Sequence, residues 1–175
     1  MPIDTEGGGT WVAVNEVGVA ATLLNLNLSG HHPEPRPRSR GDIIPQLMSC
    51  KSAIEAADAA ADLLPAAFKP FRLVLADRSS VFLICSDGSA LNSQSAGSPG
   101  KGPLLFTSSG LGDHLVEGPR RELFEQCFAG PPTTWLKAQT DFHRHRWENQ
   151  LPLSVRMSRD DAATVSITSI DIDDR

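Results

Sequence analysis

Two asparagines stand at the ends of strand-like runs, where an amide side chain can take part in catalysis. Asn15 closes an apolar run that begins at Thr10, and Asn25 closes a second run that begins at Val19. An asparagine at the end of a buried strand can aim its amide N–H at a developing oxyanion, a contact worth about 3–4 kcal/mol. The same side chain often caps a turn by hydrogen-bonding to the backbone. Spacing alone favours the turn cap and leaves the catalytic role open.

Glycines and histidines form two further motifs, for which a structural interpretation is favoured. The run at residues 7–9 lacks the Lys-Ser/Thr of a phosphate-binding loop and precedes a strand, so it is interpreted as a turn. His143 and His145, together with His31-His32, have no acidic or cysteine partner at metal-ligand spacing. A basic loop is therefore favoured over a metal site, and neither a metal nor another cofactor is predicted.

Three arginines alternate in the proline-rich stretch that follows the second strand-like run. Arg36, Arg38 and Arg40 lie close to His32 in the sequence. Such a cluster can meet a carboxylate or a phosphate, although a run of this kind is more often simply solvated. It supports one functional hypothesis, in which the chain is a non-catalytic module that binds a small ligand such as an anionic metabolite.

Composition limits the class of protein. The chain has 175 residues, a length that suits a single domain. Its net charge of -5 gives no excess of positive charge to attract nucleic acid. Three cysteines without metal spacing indicate a reducing compartment. The apolar runs are too short to span a bilayer, and the first residues do not have the pattern of a signal peptide. A cytoplasmic location is predicted.

Hydrophobic periodicity and capping signals predict an α+β fold of antiparallel sheets covered by helices. A Ser-x-x-Glu capping box at Ser52 and Glu55 begins the clearest helix, and Pro65 ends it. Residues 93–102 are rich in Ser, Gly and Pro and are interpreted as an exposed loop. The predicted strands cover 10–15, 19–25, 71–76, 80–86, 104–107, 153–158 and 163–172, and the predicted helices cover 42–48, 52–64, 118–129 and 134–142.

Several motifs together resemble one family. They are Gly8-Gly9-Thr10-Trp11 with Val14-Asn15-Glu16, Gly18 and Leu24-Asn25; Ser39-Arg40-Gly41; Thr107 to Asp113 with Val116 to Arg121; and the final hairpin from Leu153 to Ser166. This set resembles the NRDE family, also called the Transport and Golgi organisation protein 2 family, over essentially the whole chain.

The resemblance implies an Ntn-hydrolase-like αββα sandwich, related to the choloylglycine and penicillin amidases. In those enzymes an N-terminal cysteine attacks an amide carbonyl and its free α-amine acts as the base. By this resemblance Asn25 is the oxyanion donor and Ser108 a second polar catalytic residue. Arg40, Trp11 and Asn15 are the candidate ligand-binding residues for an amide substrate or another small molecule. Links of the family to secretory organisation and haem trafficking also permit a binding role.

One departure from the family pattern concerns the nucleophile. Family members begin with a cysteine after the initiator Met, followed by an Asn-Arg-Asp-Glu motif, whereas this sequence begins Met1-Pro2. Cys50, Cys85 and Cys127 are internal and have no free amine beside them. The expectation is therefore a single domain that lacks the N-terminal strands and the nucleophile, either as a truncated sequence or as a pseudoenzyme. Its open sheet edge would favour a homo-oligomer. A minor alternative is Pro2 acting as a secondary amine.

Overall fold

The computed structural model describes Ile3 and residues 8–28 and 36–172. Candidate residues Pro2, His31 and His32 lie outside these ranges. The chain divides into two compact units, Met1–Lys101 with Ile170–Arg175 and residues 102–169. We describe each unit by itself, and the expectation of a single domain stays a prediction.

The first unit is built on one antiparallel sheet. Its five strands follow one another in chain order, so each strand pairs with the next. Thr22 of the second strand lies opposite Val12 of the first strand and Val74 of the third. Alternation of buried and exposed side chains directs one face of the sheet toward the core. The strands are β1 (Val12–Val14), β2 (Ala20–Asn25), β3 (Phe71–Ala76), β4 (Val81–Ser86) and β5 (Leu91–Gly97).

Two short helices cover the core face of this sheet. Helix α1 (Ile43–Leu47) follows a 3-10 turn, and α2 (Ala53–Ala61) begins at the predicted cap. The Ser52 hydroxyl accepts a hydrogen bond from the Glu55 N–H at 3.2 Å, and the Glu55 carboxylate accepts one from the Lys51 N–H at 2.8 Å. Small alanines let α2 pack closely on the strands. The shared core includes Ala13, Ala21, Leu23, Ile43, Ile44, Leu47, Ala53, Ala56, Ala60, Phe71, Leu73, Leu75 and Ile84.

The second unit contains two longer helices. Helix α3 spans Asp113–Cys127 and helix α4 spans Trp135–Arg144. Phe124 on α3 meets Phe142 on α4 edge to face, with ring centroids 5.7 Å apart. No helix in the described part of the chain is long and apolar enough to cross a membrane.

The structure confirms the predicted α+β class, the first two hairpins and all four helices. Helix α3, however, begins at Asp113, upstream of the predicted start at Gly118, because its first turn already buries Val116 and Asp113. Residues 93–102 are not entirely loop, since β5 continues to Gly97.

Two predicted strand regions do not form strands. Residues 104–107 pair with no strand among the described residues, and of the third hairpin only a bridge between Ser158 and Ala163 forms. Strand composition is not sufficient for a strand, because the backbone must also find a neighbour with which to exchange hydrogen bonds.

Candidate functional site

Two sequence motifs of the first unit meet backbone to backbone. The Thr10 N–H donates to the Gly41 carbonyl at 3.0 Å, and Thr10 is fully buried. A Cβ atom on Gly9 would lie 2.4 Å from the Gly41 carbonyl carbon. Only glycine allows so close an approach. The contact between Gly9 and Gly41 therefore brings Trp11, two residues after Gly9, next to Arg40, which directly precedes Gly41.

Arg40 is a half-buried cation held on both sides. Its guanidinium lies 5.6 Å from the centroid of the Trp11 ring, and its Nη1 donates to the Pro70 carbonyl at 2.9 Å. Burial lowers the pKa of Arg40, although an arginine stays charged at neutral pH. Within the described residues no acidic side chain forms an ion pair with it. Its charge is therefore available to an anionic ligand.

The other two arginines of the cluster contact the protein itself. Arg36 Nη1 donates to the Ala66 carbonyl at 3.2 Å. The Arg38 guanidinium lies 5.1 Å from the centroid of the Phe68 ring. Neither arginine is simply solvated, and among the three only Arg40 stacks on a predicted ligand-binding residue.

Asn25 ends β2 beside the carbonyl group that Arg40 contacts. It pairs with Phe71 in the sheet, and the Pro70 carbonyl also accepts from the Leu26 N–H at 3.2 Å. The Asn25 Oδ1 atom is buried and has no hydrogen-bond partner among the described residues. A buried polar atom without a partner costs about 1–3 kcal/mol. Rotation of the amide by 180° would place its NH2 group at this position, the orientation that donates to an oxyanion.

Asn15 lies at the opposite end of the first hairpin. Its Nδ2 donates to the carbonyls of Met48 and Cys50 at 3.2 and 2.8 Å. Its Oδ1 accepts from the N–H groups of Val17 and Val19 at 3.2 and 2.8 Å. These contacts match the turn-capping interpretation, and the structure does not bring Asn15 together with Trp11, Arg40 and Asn25. Its ligand-binding role stays a prediction.

Ser108 belongs to the second unit, in a segment that Arg120 holds in place. Nη1 of Arg120 donates to the Thr107 hydroxyl at 2.8 Å and to the Ser108 carbonyl at 3.1 Å. Its Nε and Nη2 donate to the Leu153 and Ser154 carbonyls at 3.0 and 2.8 Å. No hydrogen bond joins the half-buried Ser108 hydroxyl to another described residue, and its catalytic role stays a prediction.

Sequence reasoning did not single out Arg120. Burial lowers the pKa of this arginine, and the buried Asp113 carboxylate opposes that effect. The neighbouring Arg121 instead pairs with Glu117 at 3.2 Å on the exposed side of α3. Helical spacing could have indicated that Arg120 is buried, because it lies four residues after Val116 and therefore on the same, buried face of the helix.

The three cysteines provide no activated thiol. All are free, and burial raises the pKa of Cys50, Cys85 and Cys127. The carboxylates of Glu55 and Asp141 raise the pKa of Cys50 and Cys127 further. At neutral pH these thiols therefore remain protonated, and a protonated thiol is a poor nucleophile.

His143 in α4 and His145 just after it have different surroundings. His143 Nδ1 lies 2.7 Å from the Gln139 carbonyl, and the ring centroids of His145 and Trp147 lie 5.1 Å apart. In the ranges that the structure describes, no three His, Cys, Asp or Glu side chains are grouped so that they could hold a metal ion.

Comparison with known proteins identifies the family. The model of the Transport and Golgi organisation 2 family matches residues 1–139. The chain belongs to that family. The match covers the contact between Gly9 and Gly41 as well as Asn25, Ser108 and Arg120, and it ends within α4. A search of curated proteins gave no match.

Proposed function

We propose that this member of the Transport and Golgi organisation 2 family derives from the Ntn amidohydrolase lineage and carries the binding part of such a site. The observation that carries the proposal is the buried amide oxygen of Asn25, which has no partner among the described residues. Asn25 ends β2, and the N–H of the next residue, Leu26, donates to the same Pro70 carbonyl that accepts from the Arg40 guanidinium. A buried polar atom without a hydrogen-bond partner, close to a cation without an acidic partner, is typical of a ligand site.

Each residue takes a separate role in this proposal. The Arg40 cation binds a carboxylate or another anionic group of the ligand, and the Trp11 indole, 38% exposed, provides an apolar face beside it. The rotated Asn25 amide donates to the carbonyl oxygen of an amide substrate. The Ser108 hydroxyl is proposed as a second polar contact, and Asn15 supports the ligand site through the hairpin.

The chain itself supplies no cysteine nucleophile in this proposal. The raised pKa values of its three cysteines support that statement. Binding of an amide ligand without turnover is therefore expected for the protein with the sequence printed here. Free cysteines also fit a reducing compartment such as the cytoplasm. The short edge strand β1, where Val14 is 45% exposed, is the proposed contact for a homo-oligomer.

A second candidate function is a non-catalytic module that binds or transports haem or an anionic metabolite. The half-buried charge of Arg40 favours it, because such a cation can bind a propionate as readily as the carboxylate of an amide substrate. Asn25 distinguishes the two functions. An amide substrate needs its side chain, whereas a ligand bound through carboxylates alone does not.

Titration of the protein with an N-acyl amino acid, followed by calorimetry, tests the first proposal. Asn25→Ala and Arg40→Lys should each weaken binding at least fivefold, whereas Asn92→Ala, at an exposed asparagine of β5, should not. In a parallel hydrolysis assay no turnover is expected. Turnover that Asn25→Ala abolishes and cysteine replacement spares would contradict the absence of a nucleophile. Haem titration by absorbance tests the second proposal, and saturable binding unaffected by Asn25→Ala would favour it.

A further inference from the structure

One stretch of the second unit has the composition of a strand but pairs with no strand in the described part of the chain. The Thr164 N–H donates to the Met157 carbonyl at 3.0 Å. Beyond this bond, residues 165–169 make no hydrogen bond to another described residue. Val165 is 94% exposed and Ile167 is 48% exposed. β-Branched residues alternating with polar ones have strand propensity, so the unpaired N–H and C=O groups of this stretch can pair with an added strand.

The same stretch forms one wall of a groove, and the end of α4 forms the other wall. One part of the groove has a volume of about 460 Å³ and is lined by Arg144, Arg156 and residues 164–167. An adjoining part of about 250 Å³ is lined by the last turns of α4 and residues 167–169. Arg144 and Ile167 line both parts, so the two parts together follow residues 164–169.

Two cations without partners face this groove. Arg144 and Arg156 are exposed, and neither guanidinium forms an ion pair or hydrogen bond with a described residue. By contrast, Lys137 on the same helix pairs with Asp141. Among the described residues, no acidic side chain lines either part of the groove. The groove therefore combines unpaired backbone groups with positive charge that no described carboxylate neutralises.

We propose that this groove binds an extended acidic peptide segment of a partner protein. The peptide backbone pairs with residues 165–169, as in the addition of a strand to an open edge. Five residues of strand span about 17 Å. Carboxylates at alternate positions of the peptide lie on one face, where Arg144 and Arg156 meet them. A free phosphate would use the two cations and leave the backbone unpaired, so the peptide accounts for both features.

Fluorescence anisotropy with a labelled Asp-Val-Asp-Val-Asp peptide and the full chain tests this proposal. Removing both cations with Arg144→Gln and Arg156→Gln should weaken binding about tenfold, the effect of two exposed ion pairs. The control removes the same charge elsewhere in the unit with Arg121→Gln and Arg146→Gln. It should leave the affinity within about twofold, because long-range attraction is largely screened at physiological salt.

Two proline variants test the backbone pairing separately from the charge. Neighbouring N–H groups of a strand point to opposite edges, so only one of Val165→Pro and Ser166→Pro should abolish binding. Both residues are exposed, and circular dichroism of each variant checks that the fold is kept.

Four results would overturn the proposal. The first is an equal loss of affinity in the charge control, and the second is the same effect of both proline variants. The third is competition by inorganic phosphate as tight as that of the unlabelled peptide. The fourth is sedimentation showing that a second copy of this chain occupies the groove and excludes the peptide.

Discussion

Replacing Asn15 with alanine should destabilise the first unit strongly, because this amide joins the first hairpin to the α1–α2 connection. Four hydrogen bonds are lost, two to the carbonyls of Met48 and Cys50 and two from the Val17 and Val19 N–H groups. Each contributes about 1 kcal/mol net. The bond from Val17 is exposed and contributes least. We therefore expect the free energy of unfolding to fall by about 3 kcal/mol.

Urea unfolding followed by circular dichroism measures this loss. Asn92→Ala in β5 is the matched control, since that asparagine is exposed, and its effect should stay within about 0.5 kcal/mol. Asn15→Asp sharpens the test. Aspartate keeps the two acceptor bonds, but at neutral pH its carboxylate faces the Met48 and Cys50 carbonyl oxygens. The aspartate variant should therefore be at least as unstable as the alanine variant at pH 7.

The refuting results are specific. A loss below about 1 kcal/mol for Asn15→Ala would show that the four contacts do not support the hairpin. An aspartate variant as stable as the unchanged protein would show that the amide donors are unimportant. If Asn15 acts chiefly on a ligand, alanine would weaken ligand binding and leave the unfolding curve in place.

Three further predictions use the same unfolding assay. Burial alone would raise the pKa of Asp77, but three backbone N–H groups and the Ser79 hydroxyl donate to its carboxylate and together lower the pKa from 3.8 to about 2. Because the folded pKa lies below the unfolded one, its stabilisation is complete above about pH 4 and is lost as pH falls toward 2; Asp77→Asn should flatten the stability curve there. Gly9→Ala should lower the free energy of unfolding by about 3 kcal/mol, because the added Cβ clashes with the Gly41 backbone. Gly110→Ala, whose added Cβ would make only ordinary contacts, should leave the free energy of unfolding unchanged or raise it slightly. Arg120→Lys should lower the free energy of unfolding by about 3 kcal/mol, because a single ammonium group cannot make the four hydrogen bonds of the guanidinium. Arg121→Lys should change the free energy of unfolding by no more than about 0.5 kcal/mol.

Local structure follows from local sequence where a short segment contains its own partner. The first two hairpins have apolar, β-branched strands, and Gly18 adopts the positive φ of +85° that the first turn requires. Ser52 predicted the start of α2 because the hydroxyl that caps a helix lies within three residues of the N–H it accepts from. No information from distant residues is needed in these cases.

Prediction fails where the partner is distant or missing. The polar residues of β5 have low strand propensity, yet the edge of β4 pairs with them across the whole strand. The opposite error occurs at residues 104–107 and 165–169, which have strand composition and no neighbour. Pairing depends on which backbone lies beside a segment, and composition does not contain that information.

Residue types and their spacing were enough to predict the α+β class, the family and the polar residues that can do chemistry. Which of these polar residues remain available depends on how the chain folds. Asn15 and Asn25 both end strand-like runs in the sequence, but distant carbonyls satisfy the first amide, while the oxygen of the second is buried and has no partner in the described ranges. Arg120 and Arg121 are likewise adjacent, and burial separates them into a structural fork and a surface ion pair. Hydrogen-bond partners and desolvation come from residues far apart in the chain, so they are determined only when the chain has folded.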